Sequence, residues 1–183
     1  MASIINATTS SGVVITSDNT GQLQLQSAGT TVMTITSTGV TTQVGAPAFS
    51  AYLGSNQSIT SGVFTKIQCN TEAFDTNNNY DNTTNYRFTP TVAGYYQING
   101  KFASTVSTTL LVISIYKNGS EFIRGGDNRV SQNAGSSVQV NALVYMNGTT
   151  DYLELYGYIA GTSPAFQSAQ SDTYFQAFLA RSA

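Results

Sequence analysis

The sequence predicts an all-β protein: a two-sheet sandwich of ten strands, preceded by an N-terminal arm of shorter ones. Three observations point there. Apolar and polar residues alternate in period two along several stretches, and no stretch sustains a helical period. Asn, Thr, Ser and Gly break up the apolar runs throughout the chain. Two pairs, Asn118-Gly119 and Asn147-Gly148, join such runs as tight hairpins, because both residue types tolerate the positive φ that two-residue turns require.

The arm comprises residues 1–46. Residues 12–16 read as its first extended piece, with Val13 and Ile15 on one face. Gln22 to Gln26 alternates strictly, so Leu23 and Leu25 share a face. Residues 31–36 place Met33 and Ile35 together, and a last extended piece lies near Val40. Strand and turn recur about every ten residues, a weak internal repeat. Large apolar side chains are too few here for their burial to offset the cost of ordering the backbone. Val13, Ile15, Leu23, Leu25, Met33 and Ile35 therefore need surface from elsewhere, most simply from other copies of the chain intertwined with it.

Pro47 opens a head domain, residues 47–183. Its strand candidates are 48–53, 62–69, 71–75, 86–89, 94–105, 109–117, 120–124, 136–146, 151–159 and 173–180. Asn99-Gly100 falls inside one long strand and joins nothing. Val138, Val140, Ala142 and Val144 share one face opposite Gln139 and Asn141, and Leu153, Leu155 and Ile159 lie opposite Tyr152, Tyr156 and Tyr158. Sheets apolar on one side and semi-polar on the other make a sandwich. If each strand reverses the last, loops 54–61, 75–86, 105–109, 125–136 and 160–172 share one end. The short turns 70–71, 90–94, 118–119 and 147–150 then share the other end with the arm. Long irregular loops are where recognition concentrates. The candidate receptor-contact residues are Asn77, Asn78, Tyr80, Arg124, Asp127, Arg129, Phe166 and Gln167, whose amides, charges and rings suit the hydroxyls of a host-surface glycan.

Composition narrows the function. Charged residues are 9% of the 183, against about 25% in an average soluble domain, and net charge is −2. No stripe of Lys and Arg suggests a nucleic-acid partner. No apolar run approaches the roughly 20 residues of a membrane span, and the first residues lack the basic and apolar regions of a secretory signal. There is no His and no Trp, and Cys69 is the single cysteine. The commonest general base and the Ser-His and Cys-His nucleophile pairs are therefore missing, and neither enzymatic activity nor a cofactor is expected. Cys69 shares an alternating face with Val63 and Ile67 and reads as a small buried apolar residue. Asp75 and Asp81 are too sparse for a calcium site, which needs five or more oxygens. Glu121 and Glu154 lie within strands without a second acidic neighbour, a poor glycosidase pair. Asn6, Asn56, Asn82, Asn118 and Asn147 fit the glycosylation sequon but read as turn residues.

The segment Phe88-Thr89-Pro90-Thr91-Val92-Ala93-Gly94-Tyr95-Tyr96-Gln97-Ile98 resembles the signature Phe-x5-Gly-x-Tyr-x-Phe of the globular domain of complement component 1q. Phe88, Gly94 and Tyr96 match, Ile98 replaces the last Phe, and Gly100 stands where a further aromatic is usual. Residues 173–179, with Phe178 near their end and Ala177 in place of a Gly, resemble the family's last strand, and residues 48–52 its first. The resemblance implies a jelly roll shared with tumour necrosis factor and a homotrimer with chain ends together at its base. It also places Gly94 at a corner that only glycine can turn, with Phe88 and Tyr96 meeting in the core. Within the arm, Ile15-Thr16-Ser17-Asp18-Asn19-Thr20-Gly21-Gln22-Leu23-Gln24-Leu25 is similar to segments of fibre and appendage proteins of tailed bacteriophages. Together the two resemblances imply a virion structural protein made in the host cytoplasm. Its arm would attach to other virion proteins and its trimeric head would contact the host surface; the alternative is a decoration or cement protein on the capsid.

Overall fold

The structure, a computed structural model, describes residues 20–43, 45–129 and 131–183. The expected extended piece at 12–16, with Val13 and Ile15, lies outside the described residues. The chain divides into two compact units at residues 44 and 45. In the first, β1 (Leu23–Ser27), β2 (Thr30–Ile35) and β3 (Thr41–Gln43) form an antiparallel meander. Register places Leu23 opposite Ile35 and Leu25 opposite Met33, so these four share one face. Ala28 and Gly29 turn the first hairpin with φ of 48° and 77°, the primed-turn geometry that matches strand twist. None of the described residues of this unit is fully buried.

The second unit is a sandwich. Its strands are β4 (Ala48–Tyr52), β5 (Gln57–Ser58), β6 (Thr65–Lys66), β7 (Thr71–Asp75), β8 (Tyr80–Asp81), β9 (Arg87–Phe88), β10 (Gly94–Ala103), β11 (Thr108–Lys117), β12 (Ser120–Asn128), β13 (Ser137–Met146), β14 (Leu153–Gly161), β15 (Ala165–Phe166) and β16 (Tyr174–Ser182). One sheet runs β13-β10-β16-β4-β7. The other runs β12-β11-β14-β9-β8, with β6 also paired to β14. The ten expected strands all appear. Residues 62–69 pair only at β6, because after Ile67 donates to the Leu155 carbonyl at 2.8 Å the chain leaves for the other sheet. β5, β8 and β15 are two-residue strands, too short to show any period in sequence. Asn99 and Gly100 lie inside β10, and Asn118-Gly119 turns between β11 and β12. Asn147-Gly148 does not make the expected hairpin: β13 pairs with β10 and β14 with β11, so residues 147–152 cross from one sheet to the other.

The core forms where Phe49, Tyr80, Phe88, Tyr96 and Phe175 pack together. Phe49 stacks on Tyr80 and on Phe88, each at 4.6 Å between ring centroids, and meets Phe175 edge-on at 5.2 Å. Phe88 and Tyr96 meet edge-to-face at 5.4 Å, as the signature implies. Gly94 acts otherwise than expected. Gly94 does not adopt a positive φ; a Cβ there would collide with the Arg181 carbonyl and come within 2.8 Å of a Leu179 methyl. Its missing side chain serves close strand approach, not a turn. Phe178 is not a core residue, because β16 turns Phe175 and Ala177 inward and leaves Phe178 49% exposed.

The sandwich closes on one side through two adjacent glycines. A Cβ on Gly125 would lie 2.5 Å from both the Gln139 carbonyl and Val140 Cβ, and one on Gly126 would lie 2.9 Å from Val138 Cβ. Edge strand β12 of one sheet thus passes directly over edge strand β13 of the other, and backbone atoms there have nowhere to retreat. Gly125→Ala should therefore lower unfolding stability by about 1–3 kcal/mol. Phe122→Ala, on the same strand but 51% exposed, should change it by about 0.5 kcal/mol or less. Thermal or urea melts of the two variants check this.

Candidate functional site

Hydrogen bonds fix which loops share an end. At the far end, Ser168 N–H donates to Asn56 Oδ1 at 2.7 Å, Thr105 N–H to the Ala165 carbonyl at 3.1 Å, and Gln132 N–H to the Thr108 carbonyl at 2.7 Å. Loops 54–61, 105–109, 125–136 and 160–172 therefore gather as expected, in so far as they are described. Loop 75–86 does not join them. Ala48 N–H donates to Thr76 Oγ1 at 2.9 Å, and Thr89 N–H donates to the Asn79 carbonyl at 2.8 Å. Residues 76–79 thus sit at the base, where residue 45 enters, beside the 90–94 corner. The 70–71 turn goes the opposite way, since Gly54 N–H donates to Asn70 Oδ1 at 2.9 Å. Counting reversals fails here because β8 and β9 form an extra hairpin that sequence periodicity does not show.

The expected receptor-contact residues are accordingly scattered. Tyr80 is a core ring, 4% exposed, and its hydroxyl donates to the Cys69 carbonyl at 3.1 Å. Phe166 is fully buried against Phe102, edge-to-face at 4.9 Å. Neither can meet a receptor, because each ring is packed into the core against rings of the longer strands. Gln167 is held by the Asp172 carboxylate at 2.9 Å. Arg124 lies on β12, paired with Glu121 at 2.9 Å, and Arg129 pairs with Asp127 at 2.7 Å. Asn77 and Asn78 stay at the base, Asn78 with φ of 53°.

The carboxylates are largely engaged with the protein's own donors. Asp75 accepts the N–H groups of Asn77 and Tyr80 at 3.1 and 2.7 Å. Asp81 accepts those of Thr83, Thr84 and Asn85 at 3.0, 2.9 and 3.1 Å, and these backbone donors hold its carboxyl well below the usual range. Glu154, 2% exposed, receives Lys66 Nζ at 2.7 Å and Arg87 at 2.8 Å, while Glu121 accepts the Ser114 hydroxyl at 2.6 Å. Cys69 is fully buried, and burial pushes its thiol up.

Exposed large apolar side chains gather on the outer face of the sheet β13-β10-β16-β4-β7, which is not among the sequence-predicted sites. Register lays it out in rows. Tyr145 lies opposite Tyr95, with their rings 5.4 Å apart, and Leu143 lies opposite Gln97, which in turn faces Phe178. The next row holds Asn141, Asn99, Gln176, Ser50 and Phe74. Leu143 is 59% exposed, and Phe74, Phe178, Tyr95 and Tyr145 are each more than two-fifths exposed. Phe74 and Phe178 flank a recess of about 200 Å³ floored by Ala48 and Ala177. Alternation could have suggested this face, since Leu143 and Tyr145 break the polar side of the period that Gln139 and Asn141 begin.

The two sheets, their strand order and the aromatic core define a jelly roll of the tumour-necrosis-factor type. Solved structures bear this out at the level of fold. Murine APRIL at pH 8.5 superposes with TM-score 0.56 and 9% identity, covering 73% of this chain and 98% of its own. PRD1 vertex protein P5 does so with TM-score 0.56 and 15% identity, covering 76% and 100%. No family model matches the chain, and no curated protein matches it in sequence.

Asp81 yields a test of the loop that seats Tyr80. A carboxyl whose pKa is depressed on folding contributes stability above its unfolded value, here 3.8, and loses that contribution as pH falls. Asp81→Ala should therefore melt lower than the parent chain at pH 7. The difference should shrink steadily as pH drops below 3.8. Melting temperatures of both proteins across that range check it.

Proposed function

We propose that this chain is a non-enzymatic phage virion protein, a homotrimeric spike or fibre whose jelly-roll heads associate through the outer face of β13-β10-β16-β4-β7. The exposed rows of Tyr95, Tyr145, Leu143 and Phe178 carry the proposal. Exposed apolar residues in contiguous rows mark an interaction site more often than scattered single ones do. The face carries few charges; Lys101 and Arg181 are its basic residues, and Lys101 donates to the Ser171 carbonyl at 2.7 Å. The resemblance to complement component 1q supplies the expectation of three copies, and PRD1 P5, a vertex protein of the same fold, supports a place on a virion. Residues 1–46, with Leu23, Leu25, Met33 and Ile35 on one strand face, serve as the segment that engages other virion proteins. The head is left to contact the host surface.

P5 sits, by its name, at a vertex. That favours a second reading, in which the trimer is fixed to the shell and clamps neighbouring subunits. Particles lacking the protein should then break at lower heat or ionic strength, whereas loss of a host-contacting spike leaves them sound but slow to adsorb.

Sedimentation tests the trimer directly. The full chain should sediment as three copies, and the double variant Leu143→Glu and Phe178→Glu should fall to one copy or aggregate. A soluble, folded monomer of the unaltered chain overturns the proposal.

A further inference from the structure

We infer that the solvent face of the other sheet is a platform for a pyranose ring of a surface glycan. The inference rests on the host-contact reading above and names the surface that would carry it. Register again sets the layout: Tyr116 lies between Glu121 and Glu154, and Ser114 lies between Arg124 and Tyr156, with Lys66 beyond. Tyr116 and Tyr156 stack at 4.0 Å. Phe64 leans across the strands, 5.3 Å from Tyr158 and 6.5 Å from Tyr116, with the Arg124 guanidinium 5.4 Å from its ring. Arg87 lies 4.0 Å over Tyr152 while it pairs with Glu154. Three of the chain's seven basic residues thus gather on one face.

The chemistry fits a sugar better than an ion or an apolar partner. The C–H face of a pyranose packs on an aromatic ring, and Phe64, Tyr116, Tyr156 and Tyr158 are half-buried, none of them wholly withdrawn from the surface. Hydroxyls need planar donors and acceptors beside that ring. Arg124 and Glu121 supply them with side chains 42% and 34% exposed, and Lys66 and Arg87 remain a quarter or more exposed. Glu154 is too buried to touch a ligand; it is a positioning residue that holds Lys66 and Arg87 in place. The cations are mostly neutralised by these two carboxylates, so the face does not select for a highly charged ligand. Strand register and mutual stacking fix the rings beforehand, which lowers the ordering cost of binding. This face lies on the sheet opposite the proposed trimer seam and stays open in the trimer.

Saturation-transfer NMR on the full chain with galactose, N-acetylglucosamine and glucuronate is the test. Transfer to the ring protons of at least one sugar is expected. Phe64→Ala and Arg124→Gln should each weaken that binding about tenfold, equivalent to about 1.4 kcal/mol, and Phe122→Ala should leave it unchanged. Arg124→Gln is a surface change, so it tests the idea even if Phe64→Ala unfolds. No transfer to any of the three sugars, or binding indifferent to Arg124→Gln, overturns the inference. Sedimentation of the same samples reports the trimer independently, so either conclusion can fail without the other.

Discussion

The packing of four rings around and beside Phe49 is the constraint on which the head depends. Phe49 comes from β4, Tyr80 and Phe88 from the short β8-β9 hairpin, and Phe175 from β16; Tyr96 of β10 joins through Phe88. One cluster therefore ties both sheets together at the base. Aromatic pairs in offset or edge-on contact contribute roughly 0.5–1.5 kcal/mol beyond their buried area, and here the contacts share members. The polar ends of two of the rings are also satisfied. The Tyr96 hydroxyl, pushed up to about 12 by burial, donates to the Val92 carbonyl at 2.8 Å and so braces the 90–94 corner.

That cluster decides where loops go and what remains for function. Drawing Tyr80 inward brings residues 76–79 to the base, and the backbone N–H groups this exposes are taken up by Asp75 and Asp81. The remaining aromatic residues divide between the two outer faces. One sheet carries Tyr95, Tyr145, Phe74 and Phe178 with amides and few charges. The other carries Phe64, Tyr116, Tyr156 and Tyr158 among ion pairs. In a chain this poor in charge, the positions of Glu121, Arg124, Glu154, Arg87 and Lys66 make the two faces chemically different and unable to substitute for one another.

Much of this was legible from residues alone. Period-two alternation locates the long strands β10, β11, β13 and β14, and Asn118-Gly119 locates a hairpin, because both signals are local; Asn147-Gly148 looks the same in sequence but starts a crossover between sheets, which depends on distant pairing. Phe88 and Tyr96 meet as the signature implies. What escaped depends on contacts distant in sequence. Two-residue strands such as β8 carry no period, so the reversal at residues 80–88 has no signal in sequence, and strand parity alone sets loop 75–86 at the wrong end. Tyr80 and Phe166 sit in polar segments that read as exposed loops, yet each fills a gap in the core. Phe178 and Phe175 are both aromatic residues of one strand; their facing follows from β16 pairing with β4 and β10, which no single-strand pattern states. Gly94 needs to be glycine, but for a neighbour's carbonyl and not for its own φ.

The layout of the first sheet's outer face also constrains how copies can meet. Its mainly apolar rows, Tyr145 with Tyr95 and Leu143 and Phe178 on either side of Gln97, lie toward the base, and the amides Asn141, Asn99 and Gln176, in a row that ends at Phe74, lie above them. A rotation axis perpendicular to the strands would invert one copy and set apolar rows against amides, leaving polar groups without partners at a cost of roughly 1–3 kcal/mol for each one buried. An axis parallel to the strands keeps every row level, so rings meet rings and amides meet amides. It also holds all the bases, with their Pro47 and Ala183 ends, on one side of the assembly. Base rows that are greasy and upper rows that can hydrogen-bond thus favour a parallel cluster of heads over an antiparallel pair.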